Sequence, residues 1–199
     1  MDLETLLEAA LRIIDSDGVK ALTMRRLAST AGVSTMAVYH HVANKDELLR
    51  LAAAHVMRGM PPPPADVGWV SVLRSFFTEL HDRFLQHPGV VQLHGRDTFL
   101  SEAVYEICEP VFGAMLRAGF QPDDAMSMFM GCASLTVGHA QLESAGGEPD
   151  DAPVVLDRDR YPALAQVAKH LPSRAARERF LTSLDRQLAA YPASDSVSH

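Results

Sequence analysis

The side chains best able to do direct chemistry in this chain are its nine histidines, the carboxylates Glu79, Asp82 and Glu143, and the cysteines Cys108 and Cys132. Their spacing argues against a reactive centre. His81, His87 and His94 show neither the H-x3-H nor the H-E-x2-H pairing that turns two imidazoles toward one metal, and no serine or cysteine occupies a nucleophile elbow. The two cysteines lack metal-ligand spacing and read as small buried hydrophobes, a redox-sensing pair being the sharper alternative. A hydrolytic or metal enzyme is the weaker reading. No catalytic residue, metal or cofactor is expected.

A different chemistry is written between Leu22 and Lys45, LTMRRLASTAGVSTMAVYHHVANK. Thr23 can accept from the free amides of a first helical turn, and Gly32 suits the left-handed position that ends such a helix. Ser34 then caps a second helix. In it Val38 and Val42 stand four apart and face inward with Val33, leaving Thr35, Met36, Ala37, Tyr39, His40 and His41 outside. That face carries aromatic, imidazole, hydroxyl and methyl groups and no carboxylate, a surface suited to base edges, thymine methyls and phosphates in a major groove of double-stranded DNA. Asn44 followed by Glu47 makes a capping pattern for a third helix, with Lys45 where a phosphate at that helix start would lie. From Gly18 to Lys45 there is no Asp or Glu, against Lys20, Arg25, Arg26 and Lys45, which is a local cationic footprint. A small packing unit with an accidentally acid-free surface is the bland alternative.

The run from Ala9 to Leu49, with GVxALTMRRLA, then AGVS, then VYHHVxNKDELL, resembles the N-terminal DNA-binding domain of the TetR (tetracycline-repressor) family. The resemblance implies that Arg25 and the exposed residues of the second helix contact DNA, with Tyr39 and Lys45 at the backbone. Residues from Trp69 to Glu143 are similar, more loosely, to the C-terminal domain of the tetracycline repressors proper.

The elements around this unit follow from composition and periodicity. At 199 residues and 47% hydrophobic composition, there is room for a small head and a larger body with a core of its own. Residues 1–58 hold seven Lys/Arg against seven Asp/Glu, so the net −7 belongs to the remainder. A head that is neutral overall and basic on one face suits a DNA reader whose acidic body stays off the duplex. The chain opens on Asp2 and Glu4 rather than a basic leader and has no apolar run near the ~20 residues that span a bilayer, so a cytoplasmic protein without a membrane partner is expected.

Leu3, Leu6, Leu7, Ala10, Leu11 and Ile14 predict a first helix to about Ser16, bracing the DNA-reading pair from behind. The helix opening at Asn44 must stop before Gly59 and the prolines 61–64, which make a stiff spacer. Beyond it the pattern predicts helices from Trp69 to the His87-Pro88-Gly89 stop, from about Phe99 to Ala118 with a kink at Pro110, from Pro122 to Ser144, from Pro162 to His170, and from a Ser173 cap to Tyr191. A short element is expected around Val90 to His94. The fold class is all-α: a three-helix helix-turn-helix domain over 1–58 with its connecting helix, and a larger helical effector-binding and dimerisation domain over 59–199. Gly131, Ser134 and Gly138 on the Pro122 helix allow close approach of another helix, so this helix and the last one are expected to build a homodimer whose two heads read a near-palindrome.

The family resemblance places Phe76, Leu80, Val111, Phe112 and Met115 around a central cavity, with Met128 nearby, although a plain dry core is the simpler reading of each. Where the tetracycline repressors carry amide side chains this chain has Phe76 and Val111, so tetracycline itself should bind poorly. The expected effector is a small, mainly apolar molecule oriented by His94, His81 and Glu143. A ligand-responsive repressor is the leading expectation, and a constitutive dimeric architectural DNA binder the alternative.

Overall fold

A computed structural model of the chain describes residues 2–64, 67–93, 102–145, 157–168 and 176–191. Among these are ten α-helices, one 3-10 turn and no strand. α1 (Leu3–Asp17) opens where the Asp2 carboxylate accepts from the Thr5 amide at 2.9 Å and closes at Gly18. The 3-10 turn (Val19–Ala21) leads into α2 (Met24–Ala31), α3 (Thr35–Tyr39) and α4 (Lys45–Met57). Leu6, Leu7, Leu22, Leu27, Val38 and Leu48 from these elements are fully buried together. Each contributes about 1.5–3 kcal/mol on burial. That burial is what holds α2 and α3, which are too short to be helical alone.

The rest consists of α5 (Trp69–Gln86), α6 (Pro88–Val91), α7 (Glu102–Arg117), α8 (Pro122–Ser144), α9 (Pro162–Ala168) and α10 (Ala176–Ala189). α8 is the central helix, packed on both α5 and α10. Of its small residues, Gly131 is closely approached within the chain: a Cβ there would lie 2.9 Å from the side-chain amide nitrogen of Gln187 on α10. Phe76 and Phe77 of α5 meet edge-on at 5.1 Å and both contact Phe129 of α8, at 5.7 and 5.2 Å. Arg74 pairs with Asp185 at 2.7 Å, and Arg177 pairs with Asp82, fastening α5 to α10 from outside. Trp69 stands edge-on to Phe120 at 4.8 Å, and Phe120 stacks on Tyr191 at 3.8 Å, closing one end.

Phe99, His94, His170 and Ser173 lie outside the described residues, as do the chain between 146 and 156 and the tail after 191. α7 is described from Glu102 and runs through Pro110, the position of the expected kink. The short element expected at Val90 begins earlier, at Pro88, because a proline costs no hydrogen bond in a first helical turn.

The larger omission concerns how head and body meet. Sequence reading offers α4 as their connection, whereas the structure adds a second clamp. Asp15 of α1 accepts from the Gly89 amide at 3.0 Å and lies 2.9 Å from His87 Nδ1, so one head carboxylate grips the turn that starts α6. Gly89 has to be glycine there: a Cβ would fall 2.4 Å from the Ile14 Cγ2 and 2.5 Å from its carbonyl oxygen. From the body side, Arg83 donates to the carbonyls of Val56 at 2.8 Å and Gly59 at 2.7 Å, holding the end of α4, while Glu79 accepts from it at 2.8 Å.

Candidate nucleic-acid interface and effector region

The DNA-reading unit is fixed by local hydrogen bonds before any partner is considered. Thr23 Oγ1 accepts from the Arg26 amide at 3.1 Å, and Ser34 Oγ from the Ala37 amide at 3.1 Å, so both short helices are capped. Gly32 sits at φ 71° and ψ 31°, and the Val33 amide reaches back to the Ala28 carbonyl at 2.9 Å. That left-handed turn sets α3 across α2. Asn44 Oδ1 accepts from the Glu47 amide at 2.9 Å, while Glu47 accepts from the amide of Ala43 rather than that of Asn44.

With Val38 and Val42 buried, the opposite face of α3 is presented outward. Met36 is 69% and Tyr39 49% exposed, His40 and His41 are exposed, and Thr35 and Ala37 are half-buried. The face therefore combines hydroxyl, thioether, methyl, phenol and imidazole groups within two helical turns. Arg25 is exposed beside it.

The charge reading needs one correction. Asp17, just outside the acid-free stretch, folds back to pair with Arg26, so that guanidinium is already neutralised. The Ser16 hydroxyl, followed by Arg26, holds the Asp17 carboxyl below its usual range. Lys45 also has an internal partner, since its Nζ donates to the Val19 carbonyl at 2.9 Å and ties α4 to the 3-10 turn. Two of its three ammonium protons remain for a phosphate. Among the described residues, Arg25 and Lys20 make no such internal contact.

In the body, Phe76, Leu80, Val111, Met115 and Met128 are all buried, and Phe112 is half-buried, its ring 4.8 Å from Phe129. They are brought together as one apolar interior. His81 is fully buried, stacked on Phe180 at 4.0 Å, with Nε2 3.4 Å from Glu143 Oε2. Burial pushes its pKa below the ordinary 6.5, against the pull of Glu143 and Asp82. Cys108 and Cys132 are buried as expected, and desolvation pushes both thiols up to about 11, where they are poor nucleophiles.

Sequence reading missed a groove of about 500 Å³ between α7 and α8, lined by Val104, Tyr105, Cys108, Glu109, Phe112, Met126 and Met130, of which only Phe112 was expected at a ligand. Met126 and Met130, four apart on one face of α8, were the available signal. A second cleft of about 590 Å³ lies at the head–body clamp, between Glu8 and Asp15 of α1, His55 and Arg58 near the end of α4, and Arg83 and His87 near the end of α5.

Residues 6–52 match the family model described as bacterial regulatory proteins, tetR family. The chain is 30% identical over 149 residues to the class A tetracycline repressor protein from transposon 1721 of Escherichia coli, covering 73% of this chain and 68% of that one. It is 29% identical over 145 residues to the HTH-type transcriptional repressor DrrR1 of Streptomyces coeruleorubidus, spanning 72% of this chain but only about half, 54%, of that relative. A crystal structure of a possible TetR family transcriptional regulator from Streptomyces coelicolor A3(2) superimposes with a TM-score of 0.77 at 26% identity, covering 94% of this chain and 97% of that one. These relatives are named as repressors and regulators rather than enzymes.

Proposed function

The chain belongs to the tetR family of bacterial regulatory proteins, and from that membership we propose that it is a ligand-responsive transcriptional repressor, binding a near-palindromic operator as a homodimer and released from it by a small, mainly apolar effector. The observation that carries the DNA-binding part is the outward face of α3 and the two residues after it: six side chains without a carboxylate, on a helix set by the Ser34 cap and the Gly32 turn. Thr35, Met36, Ala37 and His40 read bases, and Tyr39, His41, Arg25 and Lys45 meet the backbone. Phosphate contacts set register and affinity, and base edges set sequence.

One α3 touches too few base pairs for useful specificity, so the reading requires two heads related by a dyad. α8 and α10 are the proposed dimer elements. Support comes from the outer side of α8, where Gly138 faces open space, Ser134 is exposed and Leu142 is 79% exposed. Leu184 of α10, in contrast, is fully buried within the protomer, so it belongs to the fold rather than to the contact.

The effector enters the body near Phe76, Leu80 and the polar pair His81 and Glu143. A ligand shifts an equilibrium only through different affinity for two states, so its binding must change how the heads sit. Arg83 offers a short route: it lies one turn beyond Leu80 on α5 and holds the end of α4 through two carbonyls. Displacing it swings α4 and takes the two copies of α3 out of register with successive major grooves.

The test is release from DNA. Compounds bound by the full-length protein are added to its complex with a selected duplex, and anisotropy of the labelled DNA is followed. Release by compounds that bind the free protein more tightly than the complex supports the proposal. Equal binding to both forms for every ligand found refutes induction and leaves a constitutive architectural protein.

A further inference from the structure

At one place in the body, three buried polar atoms have no hydrogen-bond partner among the described residues: Nδ1 and Nε2 of His81 and Oε2 of Glu143. Nε2 and Oε2 are 3.4 Å apart without hydrogen-bonding geometry, and Asp82 Oδ1, 3.8 Å from Nδ1, is already taken by Arg177. The imidazole is held in place by the nearly parallel Phe180 ring, at 7° and 4.0 Å. A buried polar group without a partner costs about 1–3 kcal/mol, so such groups rarely converge unless something completes them.

The groups themselves specify the complement. Burial keeps His81 neutral, with one N–H and one bare nitrogen, and Glu143 favours the proton on the facing Nε2. Glu143 can only accept. One oxygen about 2.8 Å from both atoms accepts from Nε2–H and donates to Oε2, which describes a hydroxyl group, or the water that such a group displaces. An ether or ketone leaves Glu143 unpaired, and a carboxylate or phosphate would meet two carboxylates, Glu143 and Asp82. About a quarter of the Glu143 side chain is exposed, 24%, while its Oε2 and both His81 nitrogens are buried, so a ligand group reaches them only from inside the body. Resting on the reading of the body as the effector-binding part, we propose that His81 and Glu143 form the polar end of the effector site and select neutral, otherwise apolar compounds through a hydroxyl group.

The test uses the full-length protein with phenol, anisole and benzoate at millimolar concentration, read by the side-chain nitrogen resonances of His81, which are assigned by their loss in His81→Phe. Phenol is expected to shift Nε2 saturably and bind at least tenfold more tightly than anisole, with benzoate failing to compete. Glu143→Leu, which removes the acceptor at a partly exposed site, should bring the phenol-to-anisole ratio to within about twofold. The comparison in the unaltered protein stands even if that variant folds poorly. Unmoved His81 resonances in saturating phenol, or equal binding of phenol and anisole, overturn the inference. If hydroxyl compounds bind selectively but none releases DNA, the hydroxyl-reading pair stands and its assignment to an effector falls. If compounds without a hydroxyl release DNA without moving His81, the effector reading stands and this inference falls.

Discussion

Replacing Gly89 by alanine tests the clamp through which the body holds the head. The added Cβ would lie 2.4 Å from Ile14 Cγ2, 2.5 Å from the Ile14 carbonyl oxygen and 2.6 Å from its carbonyl carbon. Two of those three atoms are backbone, so no side-chain rotation relieves the contact. Ordinary carbon contacts begin near 3.5 Å, so α6 must retreat from α1 by about 1 Å. That shift also stretches the bonds from Asp15 to the Gly89 amide and His87, each worth about 1.5–3 kcal/mol as hydrogen bonds to a charged group. Overpacking alone costs about 1–3 kcal/mol. We therefore expect Gly89→Ala to lose about 2–4 kcal/mol, which for a chain of this size lowers Tm by roughly 5–15 °C. Calorimetry on matched samples measures this. Adding Ile14→Ala should not rescue the loss, because the backbone clash persists. A Gly89→Ala protein within about 0.5 kcal/mol of the parent, or full rescue by Ile14→Ala, would refute the reasoning.

Other expectations follow from single side chains. Arg25→Ala should weaken binding to any duplex about equally and reduce the slope of log K against log salt by about 2, one phosphate contact from each of two protomers, whereas Met36→Ala should change which sequence is preferred; a preserved salt slope in Arg25→Ala would remove it from the phosphate contacts. Gly138→Arg should give a folded monomer in sedimentation, while Leu184→Asp should unfold the chain; a folded, monomeric Leu184→Asp protein would contradict its burial. For His81 the pKa is depressed in the folded state, so the unfolded chain binds more protons below the ordinary 6.5 and stability falls toward acid, by at most about 1.4 kcal/mol per pH unit. Urea midpoints for His81→Phe between pH 7.5 and 5.5 should fall less than those of the parent, and parallel curves would rule this out.

The DNA-reading unit was legible because its determinants are local. Thr23, Ser34 and Asn44 cap helices within three residues of themselves, Gly32 turns the chain at its own position, and Val38 with Val42 marks the inward face by a four-residue spacing. What sequence could not give depends on contacts between distant segments. Asp17 cancelling Arg26, Lys45 bound to Val19, Asp15 gripping the α6 turn and Arg83 holding the end of α4 each join elements whose relative placement no periodicity encodes. The body shows the same division. Phe76, Leu80, Val111 and Met115, expected around a central cavity, are buried together in one apolar interior, and periodicity cannot separate core from cavity wall. The α7–α8 groove escaped notice for that reason. The pairing of His81 with Glu143 was half visible: both were singled out as polar groups, but their 3.4 Å approach depends on how α5 packs on α8.

The central claim is that two copies of α3 read DNA together, and the most direct test is to select duplexes from a random pool with the full-length protein and determine the stoichiometry of the winning complex. The account predicts enrichment of two related half-sites about 10 base pairs apart, centre to centre, in inverted orientation, bound by two protomers. Met36→Ala should shift the enriched bases symmetrically in both halves. Enrichment of a single half-site by one protomer, or no enrichment above the starting pool, would contradict it.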